Sequence, residues 1–207
     1  MKHHHALQDY VRYAEIKEIL DRLVQLQKTE NFESLAILSE SDGEGKTFLT
    51  ATLALAFTER QRKKVLIVDT SNADRRNAVP VPARERNTKD LLSELLESSF
   101  DVDIISLKDY KGSKEIVDEY QIKDLFNLNR EKYGLILVDT SALSRKNRNN
   151  FDPLVIAYQC DASLLVSSKN DAPEGSSSEN KKRILGSKIK LIGMVYNQGK
   201  VRKNESS

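Results

Sequence analysis

The chain has 207 residues, enough for one globular domain with a sizeable hydrophobic core. Its 33 Lys and Arg and 31 Asp and Glu leave a formal charge of +2, which gives no general electrostatic reason to expect a nucleic-acid partner. Cys160 is the single cysteine, so an intrachain disulfide is excluded and a reducing compartment fits best. No segment approaches the roughly 20 apolar residues that span a bilayer, and we expect a cytoplasmic protein.

An amphipathic helix is predicted near the N-terminus. Glu18 and Arg22 stand four residues apart, where they can pair along one side of such a helix. The apolar stripe is expected either to pack on the rest of the domain or to contact another subunit, because amphipathicity alone does not say what covers it. Its residues recur at helical spacing: Ile16, Ile19, Leu20, Leu23 and Val24.

The next segment joins a short apolar run, Leu35 to Ser39, to a largely apolar helix that begins at Lys46. The joining residues read Glu-Ser-Asp-Gly-Glu-Gly, and the helix opens with Lys46 and Thr47. In such a loop backbone N–H groups hold phosphate oxygens, the lysine reaches the outer phosphates and the hydroxyl binds Mg²⁺. The sequence therefore predicts a nucleoside triphosphate site, although the general motif has glycine where this chain has Glu40.

Strand-like and helix-like segments alternate through the rest of the chain. This alternation predicts an α/β domain with a mostly parallel central sheet and helices on both faces. The predicted strands are Leu35 to Ser39, Lys64 to Asp69, Val102 to Leu107, Leu135 to Asp139, Ser163 to Ser167 and Lys190 to Tyr196. The predicted helices are Lys46 to Arg60, Thr88 to Glu97, Glu119 to Lys132, Asp152 to Gln159 and Glu174 to Leu185.

The chain divides into three parts on these grounds. Residues 1–33 form the helical lead-in, 34–199 the main domain, and 200–207 a polar tail. Asn72 to Asn87 is rich in Arg, Asn and Pro and is expected to be weakly ordered. Three basic runs are interpreted as solvated surface, with an acidic partner as the alternative: 60–64, 145–148 and 181–183.

Two of the predicted strands end in a carboxylate, Asp69 and Asp139. The carboxyl edge of an open α/β sheet is where ligands bind. Two carboxylates beside a phosphate loop can organise Mg²⁺ and its waters, because magnesium prefers oxygen ligands. A lone aspartate at such a position often only caps the following turn, but the pair favours a metal and phosphate site.

Three segments together resemble the deviant-Walker P-loop ATPases of the ParA/MinD superfamily: Gly43 to Thr47, Val65 to Thr70 and Tyr133 to Thr140. Among these the chain is most similar to the bacterial tyrosine kinase (BY-kinase) domains of exopolysaccharide and capsule export, whose loop commonly reads S-x-x-P-G-E-G-K-[ST]. Ser39 and the Gly43 to Thr47 block fit that form. The ParA/MinD branch normally carries a signature lysine near the start of its loop, where this chain has Ser41. The resemblance extends from about Glu15 to Asn197.

The resemblance implies a P-loop NTPase fold that binds ATP and Mg²⁺. Lys46, Asp69 and Asp139 become the expected catalytic residues, with Asp69 as the Walker A′ carboxylate and Asp139 as the Walker B carboxylate. Thr47, Asp69 and Asp139 are the expected metal residues. The expected nucleotide-binding residues are Gly43, Glu44, Gly45, Lys46, Thr47, Phe48 and Asn197, with Asn197 near the adenine. The implied partner is a membrane-anchored polysaccharide co-polymerase or export protein, which would hold this chain at the inner membrane, and a homo-oligomer is possible.

The chain also departs from the BY-kinase pattern. The second acid of Walker A′ is replaced by Ser71, with Asp74 displaced, and the usual D-T-P-P reads D-T-S-A. Glu15 is followed by Glu18 and Asp21 where the ring-forming motif has arginines, and no tyrosine follows Tyr196. We therefore expect a nucleotide switch with slow ATP hydrolysis and no C-terminal tyrosine autophosphorylation. The alternatives are a ParA/MinD-like positioning ATPase and a degenerate, non-catalytic scaffold.

Overall fold

The computed structural model describes residues 10–70, 101–107, 122–145, 151–168 and 176–198. The predicted helix Thr88 to Glu97, the segment Asn72 to Asn87 and the tail 200–207 lie outside the described residues. The described helices are α1 (Ala14–Glu30), α2 (Lys46–Gln61), α3 (Ile122–Asn129), α4 (Pro153–Gln159) and α5 (Ser176–Gly186). The strands are β1 (Ser34–Ser39), β2 (Val65–Asp69), β3 (Val102–Ser106), β4 (Leu135–Asp139), β5 (Ala162–Ser168) and β6 (Leu191–Asn197).

One predicted helix end was wrong. The helix predicted to reach Lys132 stops at Asn129, because the amides of Lys132 and Tyr133 both donate to the Asn129 carbonyl and turn the chain toward β4. For the other predicted elements that the structure describes, the observed bounds lie within two residues of those read from the sequence. This is the scatter expected of helix and strand ends.

The six strands form one parallel sheet in the order β3-β2-β4-β1-β5-β6. This confirms the predicted α/β fold with a parallel central sheet. The chain leaves β1 through α2 toward β2, on one side, whereas it leaves β4 through α4 toward β5, on the other. In open α/β sheets, ligands bind in the crevice that opens where neighbouring strands send their connections in opposite directions. Here that crevice lies at the carboxyl ends of β1 and β4.

Alternate residues of the central strands serve two separate cores. Leu35 and Ile37 of β1 face α1 and α2, while Ala36 and Leu38 face the side covered by α3, α4 and Ile184 of α5. Both faces of β1, β2 and β4 are therefore buried, which explains why these strands read as continuous apolar runs.

Helix α1 packs on this domain through its apolar stripe. Ile16, Leu20 and Leu23 are buried in the same core as β1 and α2. The predicted pair also forms, with the Arg22 guanidinium 2.7 Å from the Glu18 carboxylate. The sequence left open whether the stripe packs on the domain or contacts another subunit, and the structure shows it packed on the domain. In the described part of the chain, no helix is long and apolar enough to cross a membrane.

Candidate functional site

The loop between β1 and α2 wraps around the first turn of α2 and is shaped by two glycines. Gly43 has a φ of 81° and Gly45 a φ of 95°, both in the left-handed region that favours glycine. A side chain at Gly45 would also meet the Asn197 amide nitrogen, 2.6 Å from an ideal Cβ. Glu40 does not have a positive φ, so its backbone does not require the glycine that the general motif has at this position.

Lys46 lies at the first position of α2 and is buried against the loop. Its ammonium donates to the Ser39 hydroxyl at 2.6 Å, and that hydroxyl donates to the Ser41 carbonyl at 2.8 Å. Burial lowers the pKa of Lys46, while the carboxylates of Asp139, Asp42 and Glu44 oppose that shift. The Lys46 ammonium is thus buried beside the loop and is hydrogen-bonded to a neutral hydroxyl.

Asp139 ends the central strand β4 beside the loop and beside Asp69. In the sheet register Asp139 is paired with Asp69 of β2 on one side and with Ile37 of β1 on the other. The Thr47 hydroxyl donates to one Asp139 oxygen at 2.6 Å. The two strand-end carboxylates and the first turn of α2 therefore meet at one point, as the parallel sheet requires.

The other oxygen of Asp139, Oδ1, is buried and has no hydrogen-bond donor among the described residues. Burial and the charge of Asp69 raise the pKa of Asp139 to about 7, against the opposing effects of the Thr47 hydrogen bond and the Lys46 charge. A buried polar atom without a partner is costly, and such atoms in folded proteins often mark an absent ion or water. The site thus has an acceptor ready for a cation.

Phe48 and Asn197 border a cavity of about 470 Å³ on the α1 side of the loop. The Phe48 ring packs edge-on against Tyr10, with ring centroids 4.8 Å apart. The Asn197 side chain donates to the Glu44 carbonyl at 3.0 Å and so lies against the loop. Gly45 also lines this cavity. The pocket is therefore continuous with the phosphate loop and has an aromatic wall.

The segment after β4 is joined to the same loop. The amides of Leu143 and Ser144 donate to the carbonyls of Ser39 and Glu40, each at 2.9 Å. The Arg145 guanidinium contacts the Asp42 carboxylate at 2.6 Å. Sequence reasoning interpreted Arg145 as part of a solvated basic run, because nothing in the sequence links it to a residue 103 positions earlier.

The parallel sheet, the loop at the end of β1 and the lysine at the start of α2 define the class of protein: a domain with the P-loop NTPase fold. No protein-family model matches the chain. Over 185 residues it is 26% identical to tyrosine-protein kinase YwqD of Bacillus subtilis. The aligned region covers 83% of this chain and 75% of YwqD.

Two solved structures place the fold more closely. The kinase domain of the Escherichia coli tyrosine kinase ETK superposes with a TM-score of 0.61 at 21% identity, over 89% of this chain and 74% of that domain. The septum site-determining protein MinD of Pyrococcus horikoshii, complexed with Mg-ADP, gives a TM-score of 0.51 at 17% identity, over 80% of this chain and 70% of MinD. The resemblance to BY-kinase-like, deviant-Walker P-loop ATPases is confirmed. At these identities the superpositions show a fold that both branches share.

The structure brings the predicted catalytic and metal residues together, namely Lys46, Thr47, Asp69 and Asp139, and places Phe48 and Asn197 on the α1 side of the same loop. Their roles stay predictions. Ser71 and Asp74, which bear on the altered Walker A′ motif, lie outside the described residues.

Proposed function

We propose that this chain binds MgATP at the loop between β1 and α2 and hydrolyses it slowly, as a nucleotide switch. The observation that carries the proposal is the buried Asp139 carboxylate, whose Oδ1 has no donor among the described residues while its Oδ2 is hydrogen-bonded to Thr47. A P-loop threonine and a Walker B carboxylate are the groups that hold Mg²⁺ in this fold class. The donor set fits a hard cation that prefers oxygen.

The residues of the loop divide the work by their chemistry. Bound Mg²⁺ would supply charge neutralisation for the outer phosphates. The Lys46 ammonium is buried beside the loop, where it would exchange the Ser39 hydroxyl for a phosphate oxygen. Gly43 and Gly45 let the backbone turn its N–H groups inward. Asp69 would orient the attacking water, and Asp139 would hold the metal directly or through water.

The cavity beside Gly45 is the proposed position of the base. Phe48 offers an aromatic wall, and Asn197 combines an amide with a fixed contact to the loop. Apolar walls with a few oriented polar groups are typical of small-molecule sites. Asn197 and Phe48 therefore keep their proposed nucleotide-binding roles.

A membrane-anchored protein of polysaccharide export is the proposed partner, which would bring this chain to the inner membrane. The support is the likeness to the tyrosine kinases YwqD and ETK, together with the BY-kinase form of the loop. Likeness of fold does not specify a partner, so the proposal depends on the branch of the superfamily.

Two alternatives remain distinguishable. A ParA/MinD-like positioning ATPase is disfavoured by Ser41 in place of the signature lysine, and salt-sensitive DNA binding in the presence of ATP would favour it. A non-catalytic scaffold is favoured by the altered Walker motifs. Absence of calorimetric binding at millimolar ATP and Mg²⁺ would support the scaffold.

The proposed site is tested with Lys46→Ala. Ligand that binds only the folded state raises its stability, by about 2.7 kcal/mol at 100 times the Kd. MgATP should therefore raise the melting temperature of the unaltered chain by several degrees and leave that of Lys46→Ala unchanged. Lys64→Ala, which removes an exposed lysine away from the loop, should keep the full shift. An equal shift in both variants would contradict the site.

Turnover is measured separately with labelled ATP, scored for free phosphate and for phosphotyrosine. Free phosphate without phosphotyrosine is the expected result. Transfer of label to tyrosine would make the chain a kinase rather than a switch, and would leave the binding site in place.

A further inference from the structure

The Asp42 and Arg145 pair closes the tip of the phosphate loop against the segment that follows β4. The Arg145 Nε atom lies 2.6 Å from Asp42 Oδ2. The arginine side chain is 32% exposed and the aspartate 51%, so the guanidinium is partly shielded while its partner faces solvent. Asp42 lies in the phosphate loop and Arg145 lies in the segment after β4, whose backbone is hydrogen-bonded to that loop.

The backbone beneath Arg145 is held in place. The amides of Leu143 and Ser144 bond to the loop carbonyls of Ser39 and Glu40, and the Arg145 amide closes a turn on the Ala142 carbonyl at 3.0 Å. Arg183 of α5 reinforces this arrangement, donating to the Leu143 carbonyl at 3.2 Å. The guanidinium therefore extends from a fixed base, and the side chain itself is what can change partner.

The pair lies within electrostatic range of the phosphate-binding lysine. The Arg145 charge contributes to lowering the pKa of Lys46, and the Asp42 charge opposes it. A guanidinium near the ammonium of a phosphate loop adds positive charge where phosphates bind. Asp42 currently neutralises it, and a carboxylate at that position would repel the outer phosphate.

We propose that the Arg145 guanidinium releases the Asp42 carboxylate and binds the terminal γ-phosphate when ATP occupies the loop. This inference rests on the proposed MgATP function. Guanidinium groups bind carboxylates and phosphates with the same forked geometry, so the exchange replaces one anionic partner by another. ADP lacks the terminal phosphate and leaves Arg145 on Asp42. The position of the Arg145 side chain would thus report which nucleotide is bound.

The test compares MgATP and MgADP affinities by calorimetry in the unaltered full chain and in three single variants of it. Arg145→Gln should weaken MgATP about tenfold, the loss of one charged hydrogen-bonding partner, and change MgADP less than about twofold. Asp42→Asn should instead strengthen MgATP severalfold, because it removes both the competitor and a repelling charge. Arg145→Lys should retain only part of the preference for ATP over ADP, since an ammonium lacks the forked geometry of the guanidinium.

Arg145→Gln and Asp42→Asn are expected to change the MgATP affinity in opposite directions, which distinguishes this role from a structural one. If the ion pair only stabilised the loop, Asp42→Asn and Arg145→Gln would both weaken MgATP and MgADP alike, and the inference would be overturned. Melting temperatures of the nucleotide-free variants check that each is folded. If the unaltered chain bound neither nucleotide, the proposed function and this inference would both fail. Normal binding with an unchanged ATP to ADP ratio in Arg145→Gln would refute the inference alone.

Discussion

Two aspartates at opposite ends of the strands show how differently the same type of side chain can be used in this sheet. Asp161, just before β5, accepts hydrogen bonds from the Ser34 amide and hydroxyl at 2.9 and 2.8 Å, and from the Glu33 amide at 3.0 Å. Arg130 adds a two-pronged contact at 3.0 and 3.1 Å. Asp139, at the carboxyl edge, has one donor on Oδ2 and none among the described residues on Oδ1.

The pKa values follow these surroundings. Burial alone would raise the pKa of Asp161, but the hydrogen bonds from Arg130, Glu33 and Ser34 outweigh it and hold the pKa below its usual value. For Asp139, burial and the neighbouring Asp69 prevail and raise the pKa to about 7. A satisfied carboxylate ties elements together, whereas an unsatisfied one is costly until a cation arrives. The contrast separates a structural residue from a ligand-binding one.

The largest expected effect comes from Asp161→Asn. This change removes the charge that Arg130 faces and part of the acceptor capacity for β1, so it should lower the free energy of unfolding by about 2–3 kcal/mol at pH 7. Because the folded-state pKa of Asp161 is depressed, its contribution is present above the ordinary value of 3.8 and is lost as the pH falls through the folded-state pKa. Urea unfolding at several pH values measures both. A cost independent of pH would show that the charge is not responsible.

Asp139→Asn should act in the opposite direction in the nucleotide-free protein. The folded state holds the Asp139 proton up to about pH 7 while the unfolded chain releases it near pH 4, so stability falls as the pH rises between those values. The amide cannot ionise and avoids that loss. We expect a gain of roughly 1–2 kcal/mol at pH 8, less than the full pKa shift implies because relaxation reduces the cost of burial.

The same variant should lose the MgATP-dependent rise in melting temperature, because an amide is a poorer ligand for Mg²⁺ than a carboxylate. Thermal unfolding at pH 5 and pH 8, with and without MgATP, makes the measurement. Destabilisation at pH 8 would mean that the folded protein stabilises the Asp139 carboxylate, and the contrast with Asp161 would disappear.

The site at the carboxyl ends of the strands was largely predictable, whereas the cluster around Asp161 at their amino ends was not. Asp69 and Asp139 each end an apolar run, and a parallel sheet must bring such ends to one edge. Asp161 reads as an ordinary residue before a strand. Its partners Arg130, Ser34 and Glu33 lie 31, 127 and 128 positions away, so no local spacing reveals them. Arg145 was hidden for the same reason, since its partner Asp42 is apparent only once the loop and β4 are placed side by side.

The smallest expected effect completes the comparison with a carboxylate that is neither buried nor networked. Glu18 pairs with Arg22 along α1, and these side chains are 64% and 75% exposed. Water screens such a pair, so Glu18→Gln should change the free energy of unfolding by no more than about 0.5 kcal/mol, and by less in 1 M salt. Urea unfolding beside Asp161→Asn under matched conditions measures the difference. A loss as large as that of Asp161→Asn would mean that burial and hydrogen bonding do not set the value of a carboxylate in this fold, and that α1 depends on its charges as well as its apolar stripe.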